Sequence, residues 1–427
     1  MKKAKKNIKS SFKDIQQRSL DEGSLDQESF VSGSDLELDT TEDSNRTQEI
    51  DLVEDHGNID IDLEHGQEEL SKKPKDKYKF IRSIGFGGMK AVLAVSDKDT
   101  TRNVAMAIIP DFEDRPQADI NRFIREARIT ARLEHPNIVP IHDIGIDGSG
   151  SPYFTMKFLR GKTLATILKK LKEGDEETLE RYDLPQLLRI FVKVCNGISF
   201  AHSQHIIHLD LKPENIHVGD FGEVLVLDWG LAKFIGEAEN IQVDEKKDEV
   251  QNNAVTAMMT LDGVAKGTPG FMAPEQAAGK NREKDERTDI YALGSILYTI
   301  LTFDSPLSGK GVKEVLEDTI RGNIQAPREM QNPYRTIPAA LEAICMKAME
   351  RIPDYRYQNV WELREDIFAF MSGFATKAEN AGSIKKTFLF INRNWLAMLF
   401  IIVLVLLVAV CGSIIFLYSN DVITVNI

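Results

Sequence analysis

Cysteine is scarce in this chain. Cys195, Cys345 and Cys411 are the only three in 427 residues. Their number and scatter exclude a disulfide framework and a thiolate zinc site, and fit a reducing compartment. The basic start, Met1-Lys2-Lys3-Ala4-Lys5-Lys6, is not followed by the apolar run that a secretory leader requires. The N-terminus is therefore expected to stay in the cytoplasm. Clustered basic charge is missing as well. The net charge is −13, and residues 1–70 hold 19 Asp/Glu against 8 Lys/Arg, so the rest of the chain is close to neutral. No nucleic-acid surface is expected from such a balance.

Residues 1–76 also have almost no aromatic residues and are rich in Asp, Glu, Ser, Lys and Gln. Such a segment cannot bury enough apolar surface to offset its ordering entropy, which predicts a disordered acidic tail.

From Tyr78 the texture changes. YKFIRSIG, KAVLAVSD and NVAMAII read as a twisted antiparallel meander. A helix is predicted over 116–133, opening at Pro116, with Phe123, Ile124, Ala127 and Leu133 at helical spacing. Two further strands surround IHDIGID and YFTMKFL, and after Gly161 the pattern is mainly helical to about residue 372. This predicts an α+β fold of two lobes, a strand-rich one over 77–158 and a helical one over 159–372, with a cleft between them.

A long charge-free run lies near the C-terminus. Trp395 to Tyr418, WLAMLFIIVLVLLVAVCGSIIFLY, is 24 residues. As a helix it would extend about 36 Å, enough to cross a hydrocarbon core with some tilt. Trp395 and Tyr418 stand where amphipathic rings favour the interface. Lys385, Lys386 and Arg393 precede the run, while Asp421 follows it. By the positive-inside rule the N-terminal part is cytoplasmic, which predicts a single-pass membrane protein. Residues 373–394 read as a basic juxtamembrane linker and 419–427 as a short outer tail. Gly412-Ser413 offers small residues through which two such helices could pack as a homodimer.

The chemistry-bearing motifs are His208-Leu209-Asp210-Leu211-Lys212-Pro213-Glu214-Asn215, Asp228-Trp229-Gly230, and Gly267-Thr268-Pro269-Gly270-Phe271-Met272-Ala273-Pro274-Glu275. In this order and at this spacing, over roughly residues 78–370, the chain resembles the protein kinases, specifically bacterial Ser/Thr kinases related to eukaryotic ones. The resemblance implies transfer of the ATP γ-phosphate to Ser/Thr hydroxyls of protein substrates in signalling. Such a site works by positioning its reactants and neutralising charge. The resemblance further implies that Asp210 accepts the substrate proton and that Lys212 contacts the transferring phosphate. Asn215 and Asp228 would hold Mg²⁺, a hard cation that favours oxygen ligands. Thr268 would lie beside the substrate hydroxyl, Glu275 would pair with Arg356, and Asp289 would anchor the catalytic loop. His202, His205 and His208 share a three-residue spacing, but the family uses the last one structurally, so no metal site is expected there.

The departures carry information too. The third strand reads Val104-Ala105-Met106-Ala107, with alanine where the family has its nucleotide lysine. The glycine-rich loop reads Ile84-Gly85-Phe86-Gly87-Gly88-Met89-Lys90-Ala91-Val92, with lysine at the third glycine position. Side chains alternate along a strand, so Lys90 shares the face of Val92 and points into the cleft. Val92 and Ala105 would cover the adenine, and Ala107 would leave a space where the missing ammonium belongs. This pattern is similar to the with-no-lysine kinases. It implies that Lys90 binds the α/β-phosphates and pairs with Glu126. The competing reading is a decayed site: a pseudokinase scaffold that keeps the fold and recruits partners.

Leu209 replaces the arginine that in many kinases engages a phosphorylated activation loop. Trp229 replaces the phenylalanine of the metal-binding motif, and His217 replaces an aliphatic support beneath the adenine. Met156 would be the gatekeeper, with the Lys157 carbonyl and the Leu159 amide on the adenine edge. Thr256 and Thr260, in the long polar stretch before Gly267, are candidate autophosphorylation sites.

Overall fold

The computed structural model describes residues 77–86, 89–236, 267–280, 283–330 and 332–425, with side chains through Ser413. The expectations for the tail 1–76, for Gly87, and for Thr256 and Thr260 lie outside these residues.

The first lobe is built from β1 (Tyr78–Phe86), β2 (Ala91–Asp97), β3 (Arg102–Ile108), the helix α1 (Gln117–Arg132), β4 (Ile141–Ile146) and β5 (Pro152–Lys157). The strands form one antiparallel sheet in the order β1-β2-β3-β5-β4. In β2, the apolar face and the Ala-Val-Leu-Ala-Val run leave four residues buried among the first five. Pro116 opens α1, whose Ile120, Phe123, Ile124 and Ala127 recur at helical spacing and pack with Ala107, Ile109 and Phe154 of the sheet region. That packing fixes where Glu126 can point.

The second lobe begins at β6 (Gly161–Thr163). Gly161 has φ +122°, and a Cβ there would run into the Val218 carbonyl, so only glycine fits. There follow α2 (Leu164–Lys172), α3 (Glu176–Arg181), α4 (Leu184–Ser203), β7 (Ile206–Ile207), β8 (Ile216–Gly219), β9 (Val224–Val226) and β10 (Lys233–Phe234). Asp183 caps α4, accepting from the Gln186 amide at 2.7 Å. Beyond lie α5 (Pro274–Ala277), α6 (Glu286–Thr302), α7 (Val312–Arg321), α8 (Ala339–Ala348) and α9 (Val360–Met371). Every residue of α6 from Thr288 to Thr302 is buried, as expected of a helix that is apolar all round. It forms the centre of the large core with α4, α8 and α9.

Two C-terminal helices complete the chain: α10 (Ser383–Arg393) and α11 (Trp395–Val425). Both differ from the sequence expectation. Residues 383–393 form a helix within the segment read as a linker; they contain neither proline nor glycine. The last helix runs beyond Tyr418 to Val425, because Ser419-Asn420-Asp421 also offers no breaker. Its described side chains, Trp395–Ser413, have a mean hydropathy of 3.0 and none is buried. By length and composition this helix can cross a membrane. The architecture is an α+β, two-lobed one, strands before helices, followed by one long apolar helix.

Candidate active site

Asp289 organises the catalytic loop from α6. Its Oδ2 accepts the His208 amide at 2.8 Å and its Oδ1 the Leu209 amide at 2.9 Å. His202, on α4, places Nε2 2.8 Å from the same carboxylate. Burial pushes the Asp289 pKa up, but the His202 bond, the nearby histidines and the amide donors outweigh it and hold the carboxyl below its ordinary range. Leu209 takes a left-handed φ of 64°, a strain held by these bonds and by Gln276, whose Nε2 donates to the Leu209 carbonyl at 2.7 Å. The His208 Nδ1 accepts the Asp210 amide at 3.2 Å, so its Nε2–H donates to the Leu227 carbonyl at 3.1 Å. The ring lies 4.6 Å from that of Trp229, which is fully buried behind the site.

With the loop so held, three groups converge. Lys212 Nζ donates to Asp210 Oδ2 at 2.7 Å and to Thr268 Oγ1 at 2.7 Å. The Thr268 hydroxyl donates to Asp210 Oδ1 at 3.0 Å. A carboxylate, an ammonium and a hydroxyl thus share one small volume. Asn215 donates from Nδ2 to the Asp210 carbonyl at 2.9 Å. That bond uses the amide nitrogen and leaves the side-chain oxygen as a ligand atom.

The second cluster joins the lobes. Val92 pairs with Ala107 and Ala94 with Ala105 across the β2–β3 ladder. Opposed residues of an antiparallel pair share a face, so Lys90, two positions before Val92, lies on the face of both alanines. Lys90 Nζ pairs with Glu126 of α1 and donates to Asp228 Oδ1 at 2.9 Å. Burial disfavours the ammonium, but the two carboxylates outweigh it and raise the Lys90 pKa. Asp228 is held below the ordinary carboxylate range: burial opposes its charge and Lys90 overcomes that. Glu126 goes the other way, because burial and the Asp228 charge exceed the help from Lys90. With one cation between two carboxylates, Asp228 keeps its charge and the more enclosed Glu126 is the acid whose charge is disfavoured.

Gly230 belongs to this cluster. A Cβ there would stand 3.1 Å from Glu126 Oε2 and 3.4 Å from Asp228 Oδ1. Ala107 is fully buried in the apolar cluster with Phe123, Ile124 and Phe154. Its methyl group therefore does not face the open space expected from the sequence, since the sheet closes onto α1 at that point.

The remaining candidates are spread along the cleft strands. Ile84 is exposed on β1, and Gly85 pairs with Val92. Ala105 pairs with Met156, and Lys157, with an exposed side chain, still pairs with Val104 at the end of β5. Leu159 follows β5 outside the ladder. His217 is buried on β8, its Nε2–H donating to the Arg160 carbonyl at 3.0 Å. That bond satisfies the ring nitrogen and offsets the cost of burying a polar ring.

Asn215 and Asp228 offer two oxygen donors of different lobe-facing elements, a set that fits Mg²⁺, which completes its shell with water and phosphate oxygens. Among the described residues there is no group of three or more His, Cys, Asp or Glu able to hold a metal without such help.

Away from the cleft, Arg356 Nη1 and Nη2 bond the Glu275 carboxylate at 2.9 and 2.8 Å, both residues being buried. Sequence reasoning gave no role to His202, Gln276 or Gly230. His202 and Asp289 are 87 positions apart, and no local pattern announces such a pair. The glycine of Asp228-Trp229-Gly230 was the one legible signal.

These features define the class: a strand lobe and a helical lobe, a catalytic loop wired to α6, and a lysine bridging the lobes. The protein kinase domain family matches residues 78–365, and the chain belongs to the protein kinase family. It is 40% identical over 303 residues to the serine/threonine-protein kinase PknD of Chlamydia pneumoniae, covering 70% of this chain and 31% of that protein. It is 41% identical over 308 residues to the PknD of Chlamydia muridarum (strain MoPn / Nigg), covering 70% and 32%. It is 38% identical over 305 residues to the PknD of Protochlamydia amoebophila (strain UWE25), covering 70% and 30%. The chain thus spans just under a third of the length of these relatives.

Proposed function

We propose that this chain is a membrane-tethered Ser/Thr protein kinase that transfers the γ-phosphate of ATP to hydroxyl groups of protein substrates in signalling. In this reading Lys90 takes the place of the absent third-strand lysine. The observation that carries it is the bridge from Lys90 to both Glu126 and Asp228. A lysine on this face reaches the acid of α1 and the metal-binding aspartate together, and a phosphate chain entering beside Asp228 meets its ammonium.

Asp210 orients the acceptor hydroxyl and takes its proton, while Thr268 and Lys212 fix the carboxylate and line the path of the transferred group. Asn215 and Asp228 hold Mg²⁺, which neutralises the charge of the phosphates when bound. Met156, Lys157, Leu159, Ile84, Gly85, Val92, Ala105 and His217 form the nucleotide's base site. The names of the relatives support Ser/Thr acceptors. The unburied apolar helix α11 supports the tether, with the kinase domain on the cytoplasmic side.

Ala107 favours a second reading, a kinase-fold scaffold that binds partners without catalysis. Transfer of labelled phosphate from ATP–Mg²⁺ by the full chain separates the two. The wild type should label itself or a generic acceptor, whereas Lys90→Ala and Asp210→Asn fall silent. Lys90→Gly combined with Ala107→Lys should recover part of the activity. A wild type no more active than Asp210→Asn across several acceptors leaves the scaffold.

A further inference from the structure

The helix α10 has two faces with different neighbours. Ile384, Phe388 and Ile391 follow one another at spacings of four and three residues, which places them in a single stripe, and Trp395, the first residue of α11, continues the spacing across Asn394. All four are exposed, Ile384 at 90% and Phe388 at 67%. The flank and the opposite side are occupied. Lys385 pairs with Glu379, and the Arg393 guanidinium lies 3.8 Å from the centroid of the Phe374 ring. The helix is therefore fastened along its polar side to the chain that leaves α9, and its apolar stripe faces outward. Only Asn394 separates it from α11.

We infer that α10 is an interfacial helix, its Ile384–Phe388–Ile391–Trp395 stripe seated at the boundary between headgroups and acyl chains of the cytoplasmic leaflet. The occupant of the stripe is a lipid surface with anionic headgroups, and this rests on the reading of α11 as a membrane span. Continuity supports the choice: a helix joined to the span by one residue cannot leave the neighbourhood of the bilayer. Charge supports it too. Lys385 lies on the flank of the stripe, a quarter-turn from Ile384, while Lys386 and Arg393 lie on the side away from it. Ile384, Phe388 and Ile391 on one face and Lys386 and Arg393 on the other follow the pattern of helices that lie in the plane of an interface, with Phe390 stacked beside Arg393 on the basic face. The aromatic rings at 388 and 395 suit that depth. The segment thus holds the second lobe against the leaflet instead of letting it swing on a flexible linker.

The test uses the full chain reconstituted in phosphatidylcholine–phosphatidylglycerol vesicles. An environment-sensitive NBD label is placed at Ile384→Cys, Phe388→Cys or Lys386→Cys, each combined with Cys411→Ser. Cys195 and Cys345 are buried and remain in place. In a parallel sample the label sits on the native Cys411, within α11. The labels at 384 and 388 should emit blue-shifted in the vesicles and be quenched by lipid carrying a nitroxide near the carbonyl end of its acyl chain. The label at 386 should keep its emission and respond to aqueous iodide.

Three results overturn the inference, each for a separate reason. Labels at 384 and 388 that respond to iodide while Cys411 is quenched by deep nitroxide lipid mean that the span stands and the stripe is in water. A Cys411 label untouched by any nitroxide lipid means that the span itself fails. Labels at 384 and 388 shielded from both quenchers mean that protein, such as a second copy of the chain, covers the stripe. Agreement between the 384 and 388 variants guards against misfolding of either one.

Discussion

Val92 faces Ala107 directly across the β2–β3 ladder, and this pairing puts the ammonium of Lys90 on the face from which a third-strand lysine would have projected. In the proposed reading the charge comes from the residue just before β2, while the alanine is absorbed into apolar packing. Loss of a charge-assisted contact of this kind costs about 2 kcal/mol, so Lys90→Ala should weaken binding of a fluorescent ATP analogue by roughly thirty-fold. Titration in the presence of Mg²⁺ checks this, and unchanged affinity would exclude a phosphate role for Lys90.

Gly230→Ala tests how tightly that bridge is packed. Its Cβ would press on the Glu126 carboxylate at 3.1 Å, and overpacking of this sort costs about 1–3 kcal/mol. Phosphate transfer should fall, with a smaller change in the melting temperature, because the strain lies between the lobes and not within the main core. Kinetics and calorimetry on one preparation distinguish the two effects.

The strand alternation that places Lys90 was legible in the sequence because period two is a local property. The contact with Asp228 was not, because its partner lies 138 residues away and depends on how the lobes meet. The same holds for His202 on Asp289. The helix α1 was readable from Pro116 and its apolar spacing, and α11 from its uninterrupted hydropathy. In contrast, α10 is short, and its basic residues resemble a solvated linker until the stripe from Ile384 to Trp395 is counted.

Arg356→Ala should be the most damaging substitution outside the cleft. The guanidinium is fully buried against Glu275, and removing it leaves an uncompensated buried charge, at a cost of about 3–5 kcal/mol. Chemical denaturation of the detergent-solubilised chain should show a lower midpoint. Arg356→Lys should recover only part of the loss, since a single ammonium nitrogen cannot reproduce the planar two-nitrogen fork that meets both carboxylate oxygens.

Asp289 gives the fold a pH dependence with a definite sign. Its pKa is lower in the folded chain than in an unfolded one, so its charged form is the one the fold favours. The stabilisation is complete above the unfolded carboxylate range, near about 4, and is lost as pH falls through the lower folded value. The stability difference between wild type and Asp289→Asn should therefore be level from neutral pH down to about 5 and shrink below about 4. A difference that grew on acidification would contradict the assignment.

Leu209 supplies backbone alone to the catalytic loop: its amide goes to Asp289, its carbonyl to Gln276, and its side chain is buried and uncharged. The loop is thus latched by groups that no enzyme can add or remove. A phosphatase stripping the activation segment would find no salt link at this position to undo. A phosphate on that segment would find no cation at position 209 to pair with.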